Sequence, residues 1–108
     1  MANEVARGTG LGLRLQEAAM PLRPTTVSVC EMLGYDPLYL ACEGRALAVV
    51  APNQAGEALQ RWRDLASGRD ASIIGHVEAS SVRVTLETAL GGERVLDELL
   101  DDPLPRIC

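Results

Sequence analysis

The chain has 108 residues, of which 47% are hydrophobic and 23% charged, and its formal net charge is −5. Length and composition fit one globular domain with one hydrophobic core and exclude a disordered chain. The acidic balance excludes non-specific nucleic-acid binding, which needs clustered basic residues, and Tyr35, Tyr39 and Trp62 are too few for a base-stacking platform.

Asn3–Arg7 reads as one or two helical turns stopped by Gly8 and Gly10. Leu11, Leu13 and Leu15 then alternate with Gly12, Arg14 and Gln16, the period of a half-buried strand. Gly8-Thr9-Gly10-Leu11-Gly12 lacks the Lys-Ser/Thr that follows a phosphate loop and leads into a strand, so it reads as a helix-to-strand connection. Pro21 and Pro24 punctuate a loop, and Thr25 or Thr26 is placed to cap a helix running to Leu33, with Gly34 as its stop. Val29, Met32 and Leu33 are expected on the core face of that helix, and Cys30 as a small buried hydrophobe. Asp36-Pro37 starts a further short turn or helix that leads into Glu43-Gly44.

Ala46–Ala51 is a continuous apolar run of strand length, which predicts a strand covered on both faces. Pro52-Asn53 opens the clearest helix, where Ala55, Ala58, Leu59, Trp62, Leu65 and Ala66 form one apolar stripe with Trp62 as a core anchor, and Gly68 is its stop. Residues 72–79 read as a strand burying Ile73, Ile74 and Val77, paired antiparallel with Val82–Leu86 through an Ala79-Ser80-Ser81 turn. Gly91-Gly92 makes a second turn before a last short strand at Arg94–Leu96, and Leu99 and Leu100 pin the end of the fold. This order predicts an α/β (α+β) fold, a mixed sheet packed with helices, over residues 1–100, followed by a flexible tail, 101–108.

No run approaches the roughly 20 apolar residues that a bilayer-spanning helix needs, and no secretory signal is expected. Three cysteines at unrelated spacings, Cys30, Cys42 and Cys108, fit a reducing compartment and a cytoplasmic protein. His76 is the single histidine and no C-x-x-C pair exists, so His76 reads as a strand residue and no metal is expected. Cys108 ends the chain behind Pro103 and Pro105, as a substrate-carrying arm, a covalent attachment point, or a terminal residue without a role. The nine steps from Leu99 to Cys108 reach at most about 30 Å when extended.

Four segments and the closing terminus, read together, resemble the family of hydrogenase-maturation proteins called HypE, within the PurM (AIR synthase-like) superfamily. They are Cys30-Glu31-Met32-Leu33-Gly34-Tyr35-Asp36-Pro37-Leu38 followed by Leu40-Ala41-Cys42-Glu43-Gly44; Ile73-Ile74-Gly75; Thr88-Ala89-Leu90-Gly91-Gly92-Glu93-Arg94-Val95-Leu96-Asp97; and the signature terminus Leu104-Pro105-Arg106-Ile107-Cys108. The resemblance covers essentially the whole chain but only the C-terminal part of the family, so it implies a PurM C-terminal-domain-like fold without the ATP-binding N-terminal domain.

The chemistry it implies is thiol-tethered. A HypF-type carbamoyltransferase loads a carbamoyl group onto the terminal cysteine, ATP with Mg drives its dehydration to a thiocyanate, and the cyano group passes to iron on a HypC–HypD scaffold. On that reading Cys108 is the nucleophile and carrier, and Glu43 the proton acceptor. Pro105, Arg106 and Ile107 form the substrate tail, with Arg106 either orienting it through a phosphate or carboxylate contact or remaining a solvated charge. Cys42 stands where the family has Asn, which loses two amide hydrogen-bonding groups; it equally fits a buried spacer. Alone, the chain is expected to bind no cofactor and to be catalytically inert. The other readings are a stand-alone thiol carrier that docks a partner without its own catalysis, and a fragment of another PurM-like ATP-dependent enzyme.

Overall fold

A computed structural model of the chain describes residues 1–98. Its elements are α1 (Ala2–Thr9), β1 (Gly12–Gln16), α2 (Pro24–Leu33), α3 (Ala55–Arg63), β2 (Gly75–Glu78), β3 (Val84–Glu87) and β4 (Glu93–Val95), with short 3₁₀ turns between them. The chain divides into two compact units. The first comprises Met1–Pro21 and Leu47–Asp97, and the second includes Leu22–Ala46.

The first unit is built on a four-stranded sheet in the order β2-β1-β3-β4. β1 pairs antiparallel with β2 and parallel with β3, and β3 pairs antiparallel with β4. The register sets Leu13 beside Val84 and Leu15 beside Leu86, and all four are buried, so the alternation in the sequence marks the core face of the two central strands. α1 packs against β1 and β3 and buries Ala6. Gly10, at φ 71°, closes α1 in the left-handed conformation, with its N–H donating to the Ala6 carbonyl. Gly8 lies inside the helix, so Gly10 alone is the stop.

The predicted hairpin of residues 72–79 and 82–86 is corrected. β2 and β3 do run in opposite directions, but β1 lies between them. The connection therefore spans two strand spacings, about 10 Å, rather than one. It passes close over Gly12: a Cβ there would stand 2.6 Å from Ser80 Oγ and 2.8 Å from the Ser81 carbonyl oxygen. The Leu13 N–H donates to the Arg83 carbonyl at 2.9 Å at the same crossing. β2 is also shorter than predicted, with Ile73 exposed and Ile74 and Val77 half-buried. The β3–β4 hairpin around Gly91 forms as expected, with Gly91 at φ 89°.

Two further expectations fail in the same stretch. Residues 46–51 form no strand, and Val49 and Val50 are 56% and 45% exposed. The central positions that the apolar run was expected to fill belong to β1 and β3. α3 ends at Arg63 rather than Gly68 and buries no residue; Trp62 is 40% exposed and is not a core anchor. The run and the stripe have the right periodicity but hold no fully buried residue: Leu47, Ala55, Ala58 and Leu59 are half-buried and their other residues are exposed.

In the second unit, α2 begins with Pro24 at its first turn, where a missing N–H costs nothing, so Thr25 and Thr26 lie within the helix and do not cap it. Gly34 closes it at φ 71°. Cys30 is buried as expected, but Val29, Met32 and Leu33 are exposed. The helix carries two apolar stripes about half a turn apart, and the Val27/Cys30 side is the one turned inward. Asp36 caps the following 3₁₀ turn, Pro37–Tyr39, its Oδ1 accepting from the Leu38 N–H at 2.9 Å.

Candidate functional site

Glu43 lies on an exposed turn in the second unit, directly before Gly44 at φ 73°. Cys42 beside it is a free, exposed thiol, so it is not a buried spacer. A carboxylate in this position is open to an incoming group. Cys108, with Pro105, Arg106 and Ile107, lies outside the described residues, as do Leu99 and Leu100.

The charge cluster that the sequence did not reveal sits on the polar face of the sheet. Arg14 projects from β1 opposite the buried leucines, in register with His76 on one side and Thr85 on the other. Its guanidinium donates to Glu93 Oε1 on β4 and stands 3.8 Å from Glu78 Oε2 on β2, while His76 Nε2 is 3.9 Å from the same Glu78 oxygen. The hydrogen bond and charge of Glu93 raise the Arg14 pKa further above its already high value. A group held so firmly protonated cannot act as a general acid or base. It ties β4 and β2 to β1 across the sheet. The only sequence signal was that Arg14 occupies an outward position between two leucines.

Among the described residues, no group of three or more His, Cys, Asp or Glu could hold a metal ion. The glycine-rich stretch at residues 8–12 lies at the C-terminal end of α1, where carbonyls and the negative end of the helix dipole point outward. That geometry repels a triphosphate, so the stretch does not fit ATP. No helix among the described residues is long and apolar enough to cross a membrane.

Comparison with known proteins places this architecture. Residues 1–87 match the family described as AIR synthase related protein, C-terminal domain. The chain is 45% identical over 107 residues to carbamoyl dehydratase HypE of Rhodobacter capsulatus, an alignment that takes in 98% of this chain and 32% of that protein. A crystal structure of the hydrogenase maturation protein HypE superposes with a TM-score of 0.92 at 37% identity, over 99% of this chain and 36% of that one. HypE in a crystal structure of a HypE–HypF complex gives a TM-score of 0.85 at 35% identity, over 91% of this chain and 32% of that one. A structure of HypE in complex with ATP gives 0.87 at 36% identity, over 94% and 32%. The chain thus spans about a third of the length of the relatives it matches.

Proposed function

Since the chain belongs to the AIR synthase related protein family through its C-terminal domain, we propose that it is the thiol-bearing part of a carbamoyl dehydratase in nickel–iron hydrogenase maturation. The observation that carries this reading is the 45% identity to a carbamoyl dehydratase over 98% of the chain.

Cys108 is the acceptor in this scheme. Its thiolate attacks the carbonyl carbon of an activated carbamoyl group delivered by a HypF-type transferase, forming an S–C bond as the donor's leaving group departs. The solved complex of a relative with HypF supports that partner. The thiocarbamate must then lose its oxygen and both nitrogen-bound protons to become a thiocyanate. A carboxylate within hydrogen-bond reach of the nitrogen accepts a proton in that step, and Glu43, exposed on its turn, is the residue assigned to it. The oxygen leaves as phosphate, carrying the terminal phosphoryl group of ATP with ADP released, and the second nitrogen-bound proton goes to solvent; a relative is solved in complex with ATP, and the described residues do not cradle that step. Passing the cyano group to iron on a HypC–HypD scaffold breaks the S–C bond, returns the Cys108 thiolate and takes two electrons from a reductant on the iron–scaffold side, because a thiocyanate releases cyanide only on two-electron reduction. Pro105, Arg106 and Ile107 deliver the thiol, with the proline lowering what the tail loses on ordering.

The test is intact mass after incubation with a HypF-type carbamoyltransferase, carbamoyl phosphate and ATP, beside Cys108→Ala. The expected result is a gain of one carbamoyl group that the variant lacks. Equal labelling of the two chains, or none where a full-length HypE is labelled, overturns the assignment of the acceptor.

A further inference from the structure

Asn3 lies in the first turn of α1, three residues before Ala6, so the two share the helix face that packs on the sheet. Ala6 fills that contact with a methyl group. Asn3 instead donates from Nδ2 to the Leu96 carbonyl at 2.9 Å, joining residues 93 positions apart. Leu96 directly follows β4, and it is fixed in two further ways. Its N–H donates to the Val84 carbonyl at 2.8 Å, and its side chain is buried. The two hydrogen bonds lie on either side of the Leu96 Cα, so both planar peptide groups that meet there are oriented. The second of them carries the chain into Asp97, where the first unit ends and the sequence runs on to Cys108. The twelve steps from Leu96 to Cys108 span at most about 40 Å, and the orientation of that peptide group biases where their far end goes.

We propose that Asn3 is a positioning residue for Cys108: by holding the Leu96 carbonyl it sets the direction in which the chain leaves the sheet toward the terminal thiol. The residue type suits that task. A leucine at position 3 would tie α1 to the sheet by burial, but burial is non-directional and leaves the carbonyl free to turn. An aspartate has no donor to offer it. The asparagine amide donates along a preferred line and brings no charge to a half-buried site. A fixed point and direction of departure lower what the tail loses on ordering when a partner takes up the thiol. The consequence for delivery rests on the reading of Cys108 as the carbamoyl acceptor; the geometry of departure does not, so the two can fail separately.

Two measurements on the whole chain in a Cys42→Ser background test it. The first places an AEDANS acceptor on Cys108 and reads the distribution of its distances from Trp62, the single tryptophan, by time-resolved energy transfer. Cys30 is buried and stays unlabelled while the chain is folded. Asn3→Asp keeps the side-chain shape, removes the donor and favours the first turn of α1, and melting confirms that it folds. The distribution should shift or broaden in Asn3→Asp and return toward the parent's in Asn3→Gln, whose amide donates again. The second measurement is steady-state loading of unlabelled Cys108 by a HypF-type carbamoyltransferase. Asn3→Asp should raise the KM for the chain about 3- to 10-fold with kcat within about twofold, and Asn3→Gln should recover most of the loss. An unchanged distance distribution in Asn3→Asp overturns the proposal, and so does a changed distribution with an unchanged KM. Failure of the parent to be loaded at all sinks the carbamoyl reading instead, and the distance distribution then decides on Asn3.

Discussion

Gly75 faces Leu15 across the β1–β2 ladder, and an alanine there separates two views of how tightly the central strand is held. The added Cβ collides with the Arg14 carbonyl oxygen and comes within 2.9 Å of the Leu15 Cα. Both are backbone atoms, and β1 cannot retreat because β3 is paired along its other edge. Relief comes only by lifting β2, which stretches the 2.8 Å hydrogen bond from Gln16 N–H to the Ile74 carbonyl. Overpacking costs about 1–3 kcal/mol and a lost hydrogen bond about 1 kcal/mol more, so Gly75→Ala should destabilise by about 3 kcal/mol. For a domain of this size that lowers Tm by about 12 °C. The companion variant is Gly8→Ala, inside α1, where an added Cβ meets nothing within 4 Å. It gains helix propensity of about 0.5–1 kcal/mol and should raise Tm by about 3 °C. Thermal unfolding by circular dichroism reads both. A Gly75→Ala midpoint within about 2 °C of the parent, or the same sign for both variants, refutes the packing argument.

Cys42 is exposed and Cys30 is 2% exposed, so in a Cys108→Ser background a maleimide should label one thiol at once and the second only on unfolding, read by mass after timed quenching. Arg14→Met should lower Tm modestly at low salt, and 1 M NaCl, with a Debye length of about 3 Å, should shrink the difference. Because Glu93 raises the Arg14 pKa above its unfolded value, the arginine's contribution is fully present below that unfolded value and is lost only in strong alkali as pH rises through the folded one. The parent-minus-variant difference should therefore show no step on Arg14's account between about pH 6 and about pH 10 in a melting series. Glu43→Gln should accept carbamoyl on Cys108 at a rate within about twofold of the parent, since its assigned role follows loading; a loss like that of Cys108→Ala, by intact mass, removes the separation of roles.

The short-range signals in the sequence were legible because each has one local physical cause. Gly10 and Gly34 stop helices since only glycine takes the left-handed conformation without cost, and Leu13 and Leu15 mark the core face because strand periodicity leaves no other arrangement. Strand partnership was not legible. Residues 72–79 and 82–86 lie a turn apart and look like a hairpin, and nothing local announces that β1, some sixty residues earlier, inserts between them. The one sequence trace of that insertion is Gly12, whose bare backbone lets the connection pass. Arg14 was equally hidden, since its partners Glu78 and Glu93 come from strands whose order was not known. Of the candidate site, Glu43 is placed on an exposed turn and Cys108 lies outside the described residues, so the reading of the site still stands on motif and similarity.

The largest departures cluster in one stretch, and their common form is informative. At 46–51 and in α3 the periodicity is right and the burial is absent; at 72–86 the orientation is right and the neighbour is wrong. An apolar period records the surroundings in which a sequence was selected, whereas burial records the surroundings present in one chain. Where the two agree, as at Leu13, Leu15, Val84 and Leu86, the chain itself supplies both sides of the contact. Where they disagree over twenty consecutive residues, random error is a poor explanation, since the strand-length run and the helical stripe fail together and in the same direction. The two segments are consecutive and lie in one unit, so a shared cause makes a demand that neither alone would make: residues 47–51 and Trp62 must gain or lose their exposure as one event. Separate midpoints for hydrogen exchange at residues 47–51 and for Trp62 emission, followed as denaturant is removed from the chain, would break that coupling and leave the two exposures without a shared origin.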